Sequence, residues 1–174
     1  QYNTEKLVSD LGRPYSIVFP GIALKIYPCC GLTHSPADIV LSLVRTHELA
    51  ADQIESIVAF AEELLPRVLT YHRPRTGYEG KYSLEYVVSA AIIDRQITAA
   101  SFTDDMVNRP QIQAYLEKTT TIVRPESGWG RLRVHPWGHP AEVIIRLKDG
   151  RSFSQQAPCA RGYPELPLAT VELR

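Results

Sequence analysis

Two stretches of this 174-residue chain hold residue types suited to binding a small anion. The first reads Lys25-Ile26-Tyr27-Pro28-Cys29-Cys30-Gly31-Leu32-Thr33-His34-Ser35-Pro36. It is expected to place a lysine at the end of a strand and a histidine just before a helix. A strand end that runs into a helix start offers free backbone N–H groups and the positive end of a helix dipole. The second is the loop HRPRTGYEGK at 72–81, preceded by Tyr71. It sets His72, Arg73, Arg75 and Lys81 against one acid, Glu79. Local positive charge on a balanced chain suits a small polycarboxylate better than a polymer. Each residue also has a plainer reading. Lys25 fits a solvated edge-strand lysine, His34 a hydrogen bond at a helix start, and Tyr71 half-buried packing. Arg73, Arg75 and Lys81 fit a wet loop.

The elements that must position these residues follow from patterning. Thr4 to Leu11 reads as a short helix with Leu7, Val8 and Leu11 on one face. Residues 16–27 are β-branched and aromatic and read as extended, broken at Pro20-Gly21. Ser35-Pro36-Ala37-Asp38 predicts an N-cap, a proline at the first helical position and an acid in the first turn. The helix it opens runs to about His47 with Ile39, Val40, Leu43 and Val44 as its buried stripe. Residues 54–60 alternate as a strand, and 64–72 continue as a second extended or irregular piece. Ser83 caps an apolar helix over about 84–96. A short turn or helix opens at 101–105, with Asp104 and Asp105 as helix-start acids rather than a metal pair. A helix begins at Pro110, and 119–125 forms a strand. Residues 126–140 are loop-like, and their Trp129, His135, Trp137 and His139 suit packing better than ligand binding. Residues 141–156 give a hairpin around Asp149-Gly150. A last helix begins near Ala169. Interspersed helices and hairpin strands without a βαβ rhythm predict one α+β domain over 1–174, a mainly antiparallel sheet with helices on one face.

Composition narrows the function classes. Lys+Arg and Asp+Glu both number 19, so the formal charge is zero. That argues against nucleic acid or an anionic membrane as partner, since both demand excess cations. No apolar run approaches the ~18 residues that span a bilayer. Cys29, Cys30 and Cys159 make a poor disulfide framework and read as thiols of a reducing, cytoplasmic compartment. No Cys or His spacing suggests a metal site. Phosphate-loop and nucleophile-elbow motifs are lacking. The start, QYNTEKLVSD, is no signal peptide and reads like the middle of a longer chain.

At the same residues the sequence resembles the MmgE/PrpD family of 2-methylcitrate dehydratases, cis-aconitate decarboxylases and iminodisuccinate epimerases. The resemblance rests on Lys25-Ile-Tyr-Pro-Cys-Cys with His34 nine residues after the lysine, and on Gly80-Lys-Tyr-Ser-Leu-Glu-Tyr86. It continues through Phe102-Thr-Asp-Asp, Pro140-Ala-Glu-Val-Ile-Ile-Arg-Leu-Lys-Asp-Gly150 and Arg161-Gly-Tyr-Pro-Glu-Leu-Pro-Leu168. No single piece is specific; their order over nearly the whole chain is. The resemblance implies the smaller, lid-like α+β domain of a two-domain enzyme, hence a fragment whose helical domain is missing. It also implies a homodimer when full-length, no cofactor, and a site in the cleft between domains. It carries the family's lysine to Lys25 and its tyrosine to Tyr71 as catalytic residues. His34, Lys81, Arg73 and Arg75 follow as substrate-binding residues.

The implied chemistry suits these types. Removing a proton α to a carboxylate spreads negative charge onto that carboxylate, and fixed cations and donors lower the cost. Lys25 would act as a point charge. Tyr71 would donate a hydrogen bond or shuttle a proton from within ~3 Å. His34 would bind a carboxylate or steady Lys25. The leading expectation is a hydro-lyase. Its alternatives are an epimerase, isomerase or decarboxylase of the same family, or a non-catalytic binding or dimerisation module. The isolated domain is expected to be inactive.

Overall fold

The computed structural model describes residues 3–9, 11–12, 15–132 and 138–173. Four strands make one mixed sheet: β1 (Ile54–Ala61), β2 (Thr119–Val123), β3 (Ala141–Leu147) and β4 (Ser152–Ala157). Their order is β2-β1-β3-β4. The β1–β3 and β3–β4 pairs are antiparallel, while β2 runs parallel to β1 with Ile57 opposite Thr119. The α+β reading and the hairpin at Asp149-Gly150 hold. A two-residue period explains the buried face: Ile57, Ala59 and Ala61 of β1 and Val143, Ile145 and Leu147 of β3 all point into the core. A parallel neighbour needs a long crossover, and most of the site residues ride on the one from β1 to β2.

The helices are α1 (Thr4–Val8), α2 (His34–Thr46), α3 (Leu65–Val68), α4 (Gly77–Gly80), α5 (Leu84–Ile93), α6 (Asp104–Val107) and α7 (Pro110–Leu116). α2 packs on β3 and β4, and α5 on β2, α2 and α7. α5 is apolar apart from Glu85 and Ser89, and Leu84, Tyr86, Val87, Val88, Ala90, Ala91 and Ile92 are all buried. Each large aliphatic side chain so enclosed contributes about 1.5–3 kcal/mol. Ser83 caps α5 as expected, its Oγ accepting the Tyr86 N–H at 3.2 Å.

Several expectations are corrected. Residues 16–27 form no strand. The Val18 and Phe19 amides donate to the Tyr15 carbonyl and Gly21 donates to Ser16, so the backbone closes locally. Ile17, Val18, Phe19, Ile22 and Leu24 are left exposed. β-propensity measures fit to a half-buried sheet surface, and no strand lies alongside to supply one. Lys25 therefore leaves an irregular segment, not a strand end. Gly162, at φ +93°, anchors that segment by accepting the Leu24 N–H, and a Cβ there would collide with the Leu24 carbonyl. Ser35 is not the N-cap of α2. A 3₁₀ turn over Gly31–Thr33 starts the helix earlier, and the Ser35 hydroxyl donates to the His139 carbonyl at 2.6 Å. α1 exposes Val8, and Leu11 beyond it is exposed too. α5 stops at Ile93, followed by Arg95 at φ 55°. The extended piece at 64–72 contains α3, and Tyr71 follows it outside any strand. The chain end carries a 3₁₀ turn, Thr170–Leu173, instead of an α-helix.

Candidate functional site

The segment 25–36 presents two faces. Its inward side chains, Tyr27, Cys29, Leu32 and His34, are buried. The Tyr27 hydroxyl donates to Asp38 at 2.6 Å, and Arg161 binds the same carboxylate through its backbone N–H (2.9 Å) and Nε (3.1 Å). This knot explains why the Lys-Ile-Tyr-Pro and Arg-Gly-Tyr-Pro pieces occur together: one carboxylate on α2 ties them. Burial, then the Asp38 carboxylate, push the Tyr27 phenol far up, so it stays a donor. Burial likewise raises the Cys29 thiol to about 11, and its sulfur lies 3.1 Å from the Thr33 hydroxyl.

The segment also lines a hollow of about 320 Å³ bounded by Lys25, Pro28, Cys30, Lys81 and Tyr82, with the buried Cys29 at its base. The Cys30 N–H donates to the Lys81 carbonyl at 3.0 Å, which fixes the two walls together. Lys25 Nζ donates to the Cys29 carbonyl at 3.2 Å. Lys81 Nζ sits 6.0 Å from the centre of the Phe102 ring. Neither lysine makes an ion pair among the described residues, and the hollow's lining includes no carboxylate. Two cations thus face one space from segments 56 positions apart in the sequence numbering (81 − 25).

His34 lies beneath this wall. Its ring meets Tyr27 edge-on at 5.2 Å between centres, and its Nε2 is buried with no hydrogen-bond partner. Burial holds its pKa below the ordinary histidine value, and nearby Lys25 adds to that against the Cys29 carbonyl. His34 is therefore neutral near pH 7 and acts as a dipole, not a cation. The free helix-start N–H groups expected here are partly used: Thr33 donates to Cys30 and His34 to Gly31.

The other expected residues lie across the start of α5. Tyr71 is partly exposed and does not line the lysine hollow. Beside it, His72 Nδ1 is 2.9 Å from the Glu85 carboxylate, and Arg73 pairs with Glu117 at 3.0 Å. These residues, with Leu116 and Thr119, border a second hollow of about 190 Å³. The Arg75 side chain is exposed, while its N–H donates to Glu79 at 2.6 Å and its carbonyl accepts from Asn108. The structure brings Lys25, Lys81 and the wall above His34 together, and sets Arg73 and Arg75 apart. Of the other aromatics and histidines weighed from sequence, Trp129 is buried under Arg124, and His139 holds Glu62. His135 and Trp137 lie outside the described residues. Cys30 is the residue that sequence reasoning passed over. Its signal was adjacency to Cys29 beside a lysine, and only the fold shows that Cys29 is buried and Cys30 partly open.

Lys25 and Lys81 thus line one hollow on this α+β frame, with no carboxylate in its lining. The sequence model of the MmgE/PrpD C-terminal domain matches residues 27–174. The chain belongs to the MmgE/PrpD family. It is 32% identical to the cis-aconitate decarboxylase of Mus musculus over 99% of the chain, and 29% identical to that of Homo sapiens over 99%. A third relative, the cis-aconitate decarboxylase of Aspergillus terreus (strain NIH 2624 / FGSC A1156), is 28% identical over 68% of the chain. The chain spans 35% of the length of each of the first two relatives. All three cysteines are free, and among the described residues no helix is long and apolar enough to cross a membrane.

Proposed function

We propose that this chain is the carboxylate-holding, lid-like domain of a cofactor-independent lyase acting on a small di- or tricarboxylic acid. The observation that carries the reading is the pairing of Lys25 and Lys81 around one hollow with no carboxylate in its lining. Two ammonium groups in a partly enclosed space concentrate a polyanion and favour charge that grows on it. Tyr71 is proposed as a hydroxyl donor reaching the substrate from the far side of the α5 start when the cleft is complete. The remaining groups would come from a helical domain of the same polypeptide.

The names of the relatives make decarboxylation of cis-aconitate the first reaction to assay. The bond to the departing carboxylate breaks and CO2 leaves. Its electron pair forms the new double bond, and the old double bond's far carbon takes up one proton. That carbon bears a second carboxylate, onto which charge spreads before the proton arrives. A cation at that carboxylate lowers the barrier, and a hydroxyl near the carbon supplies the proton. Dehydration of 2-methylcitrate, expected from the sequence, begins with the mirror step, loss of a proton α to a carboxylate. The same two lysines would serve either reaction.

The test uses the longest natural polypeptide that contains this chain. CO2 release from cis-aconitate and alkene formation from 2-methylcitrate are measured for the wild type, Lys25→Ala and Tyr71→Phe. The expected result is turnover of one acid and a loss of about 10²-fold for Lys25→Ala, in line with removal of one preorganised charge-stabilising group. Turnover unchanged in both variants would overturn the site. Tight binding of these acids without turnover would leave the non-catalytic module.

A further inference from the structure

Three thiols differ sharply in setting. Cys29 and Cys159 are buried, and desolvation raises each to about 11. Cys30 is partly open and forms a wall of the lysine hollow. It lines the same hollow as Lys25, Lys81 and the buried Cys29, and its backbone N–H donates to the Lys81 carbonyl at 3.0 Å. A thiol is a soft nucleophile, most reactive towards carbon–carbon double bonds conjugated to a carbonyl or carboxyl group. Two lysines beside it select electrophiles that carry negative charge. The two features together describe one ligand class, the α,β-unsaturated dicarboxylates.

We infer that Cys30 is a covalent modification site in this hollow for unsaturated dicarboxylates, the class to which the proposed reaction's product belongs. The inference rests on the reading of the hollow as a polycarboxylate site. Decarboxylation of cis-aconitate leaves methylenesuccinate, whose terminal CH2 is conjugated to a carboxylate. The Cys30 sulfur adds to that CH2. A C–S bond forms, and the π bond breaks. Its electron pair moves to the carbon α to the carboxylate, which takes a proton to replace the one the thiol lost. Nothing leaves and no oxidant or reductant is consumed. Lys25 and Lys81 draw the dianion in and balance the charge on the α carboxylate while the bond forms. The adduct fills the hollow, so accumulated product shuts the site by occupying it.

The test again uses the longest natural polypeptide containing the chain, with methylenesuccinate as anionic acceptor, acrylamide as neutral acceptor and tricarballylate as saturated competitor. Peptide mass mapping follows each cysteine over time, and calorimetry measures tricarballylate binding. The expected result is a methylenesuccinate adduct on Cys30, with Cys29 and Cys159 unmodified in the folded protein. Tricarballylate protects Cys30. Lys25→Ala or Lys81→Ala slows the methylenesuccinate reaction about tenfold and leaves the acrylamide reaction within about twofold, as expected for removal of a local field. If tricarballylate binds but Cys30 stays unmodified, or if the lysine variants react with methylenesuccinate at the wild-type rate, the inference is overturned and the carboxylate site stands. If tricarballylate does not bind, the carboxylate site itself is overturned, and this inference with it.

Discussion

Two hollows flank the start of α5, and they treat charge in opposite ways. In the smaller one the basic side chains already hold acids: the His72 ring on Glu85, Arg73 on Glu117. In the larger one, among the described residues, Lys25 holds the Cys29 carbonyl and Lys81 lies near the Phe102 ring, and neither makes an ion pair. A cation paired within its own fold offers an incoming anion little, because binding must first break or share the pair. An unpaired cation offers its whole field. Counting positive residues in a loop therefore misplaces a site unless the partners are counted too. Within the basic loop 72–81, His72 and Arg73 meet acids, while Lys81 at its end lines a hollow with no carboxylate in its lining.

The contrast can be broken in order of expected effect. Lys25→Ala should lower kcat/KM by about 10²-fold, with Lys81→Ala next and the fold intact by circular dichroism. A change of less than twofold in both would erase the distinction between the hollows. Asp38→Ala should instead destabilise by about 2–3 kcal/mol in urea melts, because it removes the part-buried carboxylate that accepts from both Arg161 and the Tyr27 hydroxyl. The next effect is on pH dependence. His34 is depressed in the fold by burial, so the unfolded chain binds its proton first. Stability should fall as pH drops below the unfolded value of 6.5, by at most about 1.4 kcal/mol per pH unit for one proton. His34→Asn should flatten that limb; an unchanged slope would place the titrating group elsewhere. The smallest effect belongs to the smaller hollow. Arg73 and Glu117 are both largely exposed, so Arg73→Ala should cost no more than about 0.5 kcal/mol and change turnover less than twofold.

Local signals read truly where a residue and its partners lie within one turn or hairpin. The Ser83 cap, the apolar run of α5, the Pro110 start of α7 and the Asp149-Gly150 hairpin are of that kind. They failed where a neighbour was needed. Residues 16–27 have strand composition but no strand beside them. Ser35 has the look of a cap, yet its hydroxyl is drawn to His139, 104 positions away. The parallel pairing of β2 with β1 leaves no local trace at all. For the candidate site, motif order named Lys25, His34 and Lys81, and the structure places Lys25 and Lys81 around one hollow. The Arg73–Glu117 pair, the burial that depresses the His34 pKa and the partial openness of Cys30 left no mark in the sequence.

The residue order alone settled the α+β class, the family and the list of cations, since these depend on periodicity, caps and ordered motifs. Only the folded chain decided which cations stand unpaired and which thiol meets them. Charge neutralisation and burial are set by through-space distance, and chain separation says nothing about either.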